Sequence, residues 1–317
     1  MYSGLYTIAQ INGSDVYTGL VEDFTQYTPE ISMIPAVAHA GVKWDTTIRT
    51  GLPAAFFRQA QQALTGAAST YKQTQHELFF IDSPIVVDEM VYRASDGTSG
   101  DLLYNESQGA LQSIWNKVAN QTWYGTSTDG SNGFVGVRAQ LLPSGSGITA
   151  VTASNSTNST TAFGLWLTPQ GVSYGIGKFG QIEIQSFVKQ YINVGPSVTG
   201  NTPAGYWAYV SNISSFIGLA VVSNQSVFGI TGITQAAPLT DKLGAQLLVT
   251  VPLPRRKGFT FFMNRLAHSS LQQSRTAINY QPAGAANGTP AWSPPPLELE
   301  GYPIVLTDAL LNNENNT

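Results

Sequence analysis

Val42–Ile81 reads VKWDTTIRTGLPAAFFRQAQQALTGAASTYKQTQHELFFI. Val42–Thr50 is rich in β-branched residues and predicts a strand. Thr70–Ile81 alternates polar residues before an apolar end and predicts a second strand. Between them a Gly-Leu-Pro break opens a stretch with room for a short helical turn. The two strands make a long hairpin, mostly polar on both faces, with little apolar surface to lay on a core of its own. An isolated two-stranded ribbon is marginal in water. This one is therefore expected to be stabilised by another chain.

Upstream, residues 1–41 show little periodicity but scatter apolar side chains: Tyr2, Leu5, Tyr6, Phe24, Tyr27, Ile31 and Ile34. They read as an extended arm that packs on something else. Downstream, Pro84–Arg93 is a compact apolar segment, and Ala94–Gly100 a turn cluster offering helix N-caps. Leu103, Ala110, Leu111, Ile114, Trp115 and Val118 then recur at three- and four-residue spacing. They predict a helix from Asp101 to about Thr122, ~33 Å long at the α-helical rise. Asp101 and Glu106 suit its N-terminal end, and Gly125 with Thr128-Asp129-Gly130 closes it.

Ser144–Thr161 is polar and of low complexity, and reads as a loop or boundary. Phe163–Leu167 and Val172–Ile176 predict a hairpin turned by Pro169 and Gly171. Tyr206–Val210, Ser215–Val222, Gly258–Met263 and Gly301–Leu306 predict strands. Residues 239–249 and Arg265–Ile278 predict amphipathic helices. Ala283–Pro296 reads as a Pro/Gly-rich connection and Asn312–Thr317 as a polar tail. The fold class is α+β.

Hydrophobic residues make up 42% of the 317, enough to bury a sizeable core, while Asp, Glu, Lys and Arg total only 11%, against about 25% in ordinary globular chains. Two readings stay open: a surface buried largely against copies of itself, or an uncharged but solvated β-rich surface. The formal net charge of −4 argues against tight nucleic-acid binding, which needs clustered Lys and Arg. Without cysteine there is no disulfide scaffold, thiolate metal site or cysteine nucleophile. The first residues lack the basic start and apolar run of a signal peptide, and no stretch approaches the ~18 apolar residues of a membrane span. The chain is read as soluble and made in a cytoplasm, and its Asn-x-Ser/Thr triplets as a by-product of composition.

Catalytic, metal and cofactor chemistry find no coherent constellation. His39, His76 and His268 lie far apart on different predicted elements and read as packing or solvated residues. Gly171-Val172-Ser173-Tyr174-Gly175 matches G-x-S-x-G formally, but that motif needs a strand, a turn and a helix, and here it falls at a predicted hairpin. Asp82, Asp88 and Glu89 leave two readings open: carboxylates placed near one another, as any fold can do, or ion pairs with Arg49, Arg58 or Arg93. Pro254-Arg255-Arg256-Lys257 is the one basic run, too short for a nucleic-acid site and suited to a turn or an ion-pair contact with a neighbouring chain. No catalytic, cofactor-binding or metal residues are assigned.

Several motifs carry a family resemblance. They are Thr47-Ile48-Arg49-Thr50-Gly51-Leu52-Pro53, Asp129-Gly130-Ser131-Asn132-Gly133-Phe134, Phe261-Phe262-Met263-Asn264-Arg265, and the end segment Gly301-Tyr302-Pro303-Ile304 running through Thr307-Asp308-Ala309-Leu310 to Glu314. With the order arm, hairpin, long helix, β-rich region, second helix and last strand, the chain resembles tailed-phage major capsid proteins of the Hong Kong 97-like coat fold, in the short-tailed-phage branch. The resemblance implies an N-terminal arm (1–41), an extended β-hairpin loop (42–82), a peripheral domain (83–145) with a spine helix at about 101–122, and an axial domain (146–250). It implies that 251–317, with the second helix and last strand, return to the peripheral domain.

The function implied is self-assembly as hexamers and pentamers into an icosahedral shell around double-stranded DNA, held without sequence-specific binding. Expected partners are copies of itself, a separate scaffold protein, a portal and, where one is present, a cement protein, with no membrane. The place is the virion, after synthesis in the bacterial host cytoplasm. Lys43, Trp44, Arg49, Arg58, Lys72, Glu77, Arg255 and Arg256 are the expected inter-subunit contacts. Some members of the fold cross-link through a lysine of the extended loop. Lys43 and Lys72 lie there, but no partner or activating carboxylate is identifiable. The alternatives are another virion component (a cement, spike or glycan-binding β module) and a hydrolase using Ser173.

Overall fold

The computed structural model describes residues 26–61, 63, 65–94, 99–126, 132–141, 150–177, 182–196, 203–278 and 294–315. Its strands, in chain order, are β1 (Ala36–His39), β2 (Lys43–Gly51), β3 (Thr70–Glu77), β4 (Phe79–Asp88), β5 (Ala150–Thr152), β6 (Thr157–Trp166), β7 (Val172–Gly177), β8 (Glu183–Ile184), β9 (Val188–Pro196), β10 (Pro203–Val221), β11 (Val227–Ile233), β12 (Phe259–Met263), β13 (Glu298–Leu299), β14 (Tyr302–Leu306) and β15 (Glu314–Asn315). The chain divides into two units. One contains Phe80–Val118 and Gly180–Phe216, the other Tyr27–Phe79, Ala119–Phe179 and Ile217–Thr317.

The larger unit is built on β12. All five of its residues are buried, as expected of a continuous apolar strand covered on both faces. It pairs parallel with β14 and antiparallel with β6, within the order β13-β14-β12-β6-β11-β5. Alternation divides the aromatic rings between the faces. Phe259, Phe261 and Met263 join a cluster with Phe228, Ile230, Leu247, Ala267 and Leu271, drawn from β11 and from the helices Asp241–Thr250 and Arg265–Ile278. Phe262 on the opposite face lies 5.4 Å from Trp123, and Phe163 of β6 lies 5.1 Å from it.

Local chemistry sets the element ends. Thr240 caps Asp241–Thr250, its hydroxyl accepting from Leu243 N, and Asn264 Oδ1 accepts from Ala267 N at the start of Arg265–Ile278. Glu300 (φ 52°) and Gly301 (φ 81°) turn β13 into β14, a two-residue connection that needs positive φ at both positions. The long helix runs Ser99–Tyr124. Past its end, Gly136 N and Val137 N bond back to Gly125 O and Thr122 O.

Six expectations are corrected. Ser144–Thr161 is not a loop throughout: β5 and the N-terminal half of β6 form within it. Thr160 and Thr161 are fully buried, and their hydroxyls are satisfied from distant segments by Asn264 Nδ2 and Glu314 Oε2. The 163–176 hairpin does not form. The turn is present, with Gly171 N bonded to Thr168 O, but β6 pairs β11 and β12 while β7 pairs β1 and β10. The strands at 206–210 and 215–222 are one strand, β10. The polar tail at 312–317 carries a buried residue, Glu314, in β15 against β6. Within the arm, Glu30–Met33 is a helical turn and β1 pairs parallel with β7, and buried Glu30 accepts from Trp123 Nε1 at 3.1 Å. The 52–69 connection holds no helical turn among its described residues. Positions 1–25, Thr128-Asp129-Gly130, Ser131 and 283–293 lie outside the described residues.

In the smaller unit, β8 and β9 pair along β10. Pro84–Arg93 is β4 continuing into the helix Glu89–Ala94. Of the acids there, Glu89 pairs with Arg93 and with Lys189 at 2.6 Å, Asp82 accepts from Asn212, and Asp88 caps Met90 N.

Candidate functional site

β2 and β3 form a two-stranded sheet of their own. Their register places Trp44 opposite His76, Thr46 opposite Thr74 and Ile48 opposite Lys72 on one face. Lys43–Glu77, Asp45–Gln75, Thr47–Gln73 and Arg49–Tyr71 are opposed on the other. The second face is closed by its own cross-strand contacts. Lys43 pairs with Glu77, Gln73 Nε2 donates to Asp45 at 2.9 Å, and Arg49 lies over the Tyr71 ring while donating to its hydroxyl at 3.2 Å. Such exposed pairs each contribute only about 0.2–1 kcal/mol. They hold the ribbon's shape without giving it a core.

At the far end the ribbon opens into a connection whose apolar residues face solvent. Leu52 is 77% exposed, Phe56 61% and Phe57 108%. Burying a large apolar side chain is worth about 1.5–3 kcal/mol, a contribution that these three side chains do not make at the end of the ribbon. Arg58 stands beside them, also exposed. At the near end the ribbon is anchored: Leu78 is buried, its N–H donating to Val42 O at 2.7 Å.

Six of the eight expected contact residues, Lys43, Trp44, Arg49, Arg58, Lys72 and Glu77, are thus brought together on this ribbon and its connection. Arg255 and Arg256 are in the turn after the helix Asp241–Thr250. Arg255 donates to Ser223 at 3.0 Å and lies over Trp166, and Arg256 donates to Leu248 O at 2.7 Å. Burial lowers the Arg255 pKa from its ordinary value. Sequence reading named Arg58 but passed over Phe56 and Phe57. The available signal was an aromatic pair inside an otherwise polar hairpin.

The enzymatic alternative has no support in this geometry. Ser173 is buried near the start of β7, opposite Ala220 of β10, so the G-x-S-x-G match runs from the turn at Gly171 into a strand and not into the helix that a nucleophile elbow needs. Among the described residues no group of three or more His, Asp or Glu could hold a metal ion, and no helix is long and apolar enough to cross a membrane.

The family model for the major capsid protein GP7 matches residues 18–317. The chain belongs to the major capsid protein GP7 family. This capsid protein also superimposes on a chain from the cryo-EM structure of bacteriophage Epsilon15, with a TM-score of 0.67 at 18% identity, covering 99% of this chain and 97% of that one. It matches the bacteriophage JBD30 capsid with a TM-score of 0.51 at 11% identity, covering 96% and 99%. At these identities the likeness is one of fold: the α+β architecture described above is a phage capsid fold. No curated protein sequence matches. The protein is a structural component of a virion, a major capsid protein.

Proposed function

We propose that this capsid protein assembles as hexamers and pentamers into an icosahedral shell around double-stranded DNA, with the Val42–Leu78 ribbon as the arm by which one subunit grips the next. The observation that carries this reading is the ribbon itself: two strands with no core of their own, ending in exposed Leu52, Phe56 and Phe57. The family membership and the Epsilon15 likeness support it. We assign the Hong Kong 97-like coat fold and its short-tailed-phage branch on the motifs quoted above, with 42–82 as the extended loop, the Ser99–Tyr124 helix as the spine, and the remaining segments as arm, peripheral and axial domains. Lys43, Trp44, Arg49, Arg58, Lys72, Glu77, Arg255 and Arg256 are proposed contact residues. A separate scaffold protein, a portal and, where present, a cement protein are the proposed partners. Synthesis takes place in the bacterial host cytoplasm, and DNA is enclosed without sequence-specific binding.

The test is deletion of 52–69, joining Gly51 to Thr70, which are already paired, through an Asn-Gly turn. Of the described residues removed, all are exposed but Ser69, which is half-buried. Shortening the loop changes closure entropy by at most about 2 kcal/mol, in the favourable direction. The shortened chain should melt cooperatively near the parent's temperature and form no shells by negative-stain microscopy. Loss of folding would place the tip in the subunit's own core, and normal shells would remove the ribbon from the assembly contacts.

A further inference from the structure

The root of the ribbon rests on two glycines. Gly175 of β7 and Gly218 of β10 are paired across the sheet, so their missing side chains leave one bare patch on one face. A Cβ on Gly175 would stand 2.3 Å from Cη2 of Trp44, and a Cβ on Gly218 would stand 2.3 Å from the carbonyl oxygen of Glu77. One residue from each ribbon strand is thus seated directly on the sheet backbone. Closest approach of this kind is what glycine alone permits.

Two imidazoles flank the seated indole. His39, delivered by β1 alongside β7, stacks on Trp44 with ring centroids 4.3 Å apart and planes 13° from parallel. His76, the cross-strand partner of Trp44, lies 5.4 Å away on a tilted plane, its Nε2 2.9 Å from Thr46 Oγ1. We infer that this histidine–tryptophan stack on the Gly175–Gly218 pair is an acid-sensitive seat that fixes the ribbon's angle at neutral pH and releases it when His39 and His76 are protonated.

Burial lowers the pKa of both imidazoles from the ordinary 6.5. At His76 the charge of His39 acts in the same direction, and Asp45 opposes it. The Lys43–Glu77 pair lies across the ribbon's other face and is internally balanced. β7 and β10 offer glycine at the contact. Because the seated state holds its imidazoles below their ordinary value, seating is complete above about 6.5 and weakens as pH falls through that value, since the released state takes up protons first. Angle matters because of leverage: nine residues of β2 span about 30 Å, so a tilt of about 10° at the root moves the tip by about 5 Å.

The inference concerns the ribbon root within one subunit and does not rest on the assembly reading. It is tested by hydrogen–deuterium exchange of the full-length chain, kept unassembled by dilution, at pH 7.5 and 5.5 with correction for intrinsic exchange. Peptides covering 36–51 and 70–79 should lose protection on acidification, by about tenfold for each pKa unit separating the two states, while 259–263 is unchanged. The double variant His39→Gln, His76→Gln should remove the pH dependence. Gly175→Ala should expose the root at both pH values, and where that variant does not fold the histidine pair alone decides. A wild-type root with no pH dependence, or a dependence that survives in the double variant, overturns the inference.

Discussion

Replacing Glu314 by alanine tests how the end of the chain is locked into the subunit. The side chain is fully buried and accepts from Tyr124 OH through Oε1 and from Thr161 Oγ1 through Oε2, both at 2.5 Å, with Arg138 at 3.8 Å. Tyr124 OH in turn accepts from Leu311 N at 2.8 Å, so one carboxylate ties β15, β6 and the end of the long helix together. Burial first, and then the charge of Glu314, hold the Tyr124 hydroxyl far above its ordinary pKa, so it remains a donor. A hydrogen bond to a charged acceptor is worth about 1.5–3 kcal/mol. Removing one partner of a buried ionic network costs about 3–5 kcal/mol. At about 2 °C per kcal/mol for a large chain, Glu314→Ala should lower the melting temperature of unassembled subunits by about 6–10 °C. Glu314→Gln, which keeps one acceptor oxygen, should cost about 1–2 kcal/mol. In a double-mutant cycle with Tyr124→Phe the two changes should couple by about 1 kcal/mol or more. A melting temperature within about 1 °C of the parent, or strict additivity with Tyr124→Phe, would refute the lock.

Other expectations follow from single contacts. Burial keeps the Glu30 carboxyl above its ordinary 4.5. The folded subunit therefore holds a proton that the unfolded chain gives up, so stability is full below 4.5 and declines as pH rises through the raised value. Glu30→Gln should flatten that slope in denaturant titrations at pH 5, 6, 7 and 8. In Gly164→Ala the new methyl would meet the Phe259 ring at 2.3 Å. The buried ring has little room to yield, and a loss of about 1–3 kcal/mol is expected in urea unfolding. Thr240→Ala removes the cap of the Asp241–Thr250 helix and should cost about 1 kcal/mol by the same assay.

Much of the fold was legible because it is local. The helix Arg265–Ile278 and the strand at 259–263 declare themselves through spacing and a continuous apolar run, and the ribbon through alternation followed by a break. What stayed hidden depends on partners distant in the chain. Thr160 and Thr161 read as loop because nothing nearby says that Asn264 and Glu314 will satisfy their hydroxyls. Once those bonds exist, β-branched threonines are good strand residues. Glu314 itself read as tail, since a single carboxylate among asparagines gives no sign of burial. Gly171 does turn the chain, as its sequence context predicts, but which strands then pair is decided by packing against β11 and β12. Of the site, the ribbon's polar faces were readable. Gly175 and Gly218 were not, because the side chain and carbonyl that lie against them come from more than 100 residues away.

The ribbon's place in the shell is tested most directly by hydroxyl-radical labelling of Phe56 and Phe57 in unassembled subunits and in assembled shells. In the free subunit both rings are open to solvent and should label readily. Docking on a neighbouring copy should reduce their labelling to the level of buried Phe261 and Phe262 in the same sample. Shells that form while Phe56 and Phe57 label as they do in free subunits would contradict the ribbon as the arm that joins them.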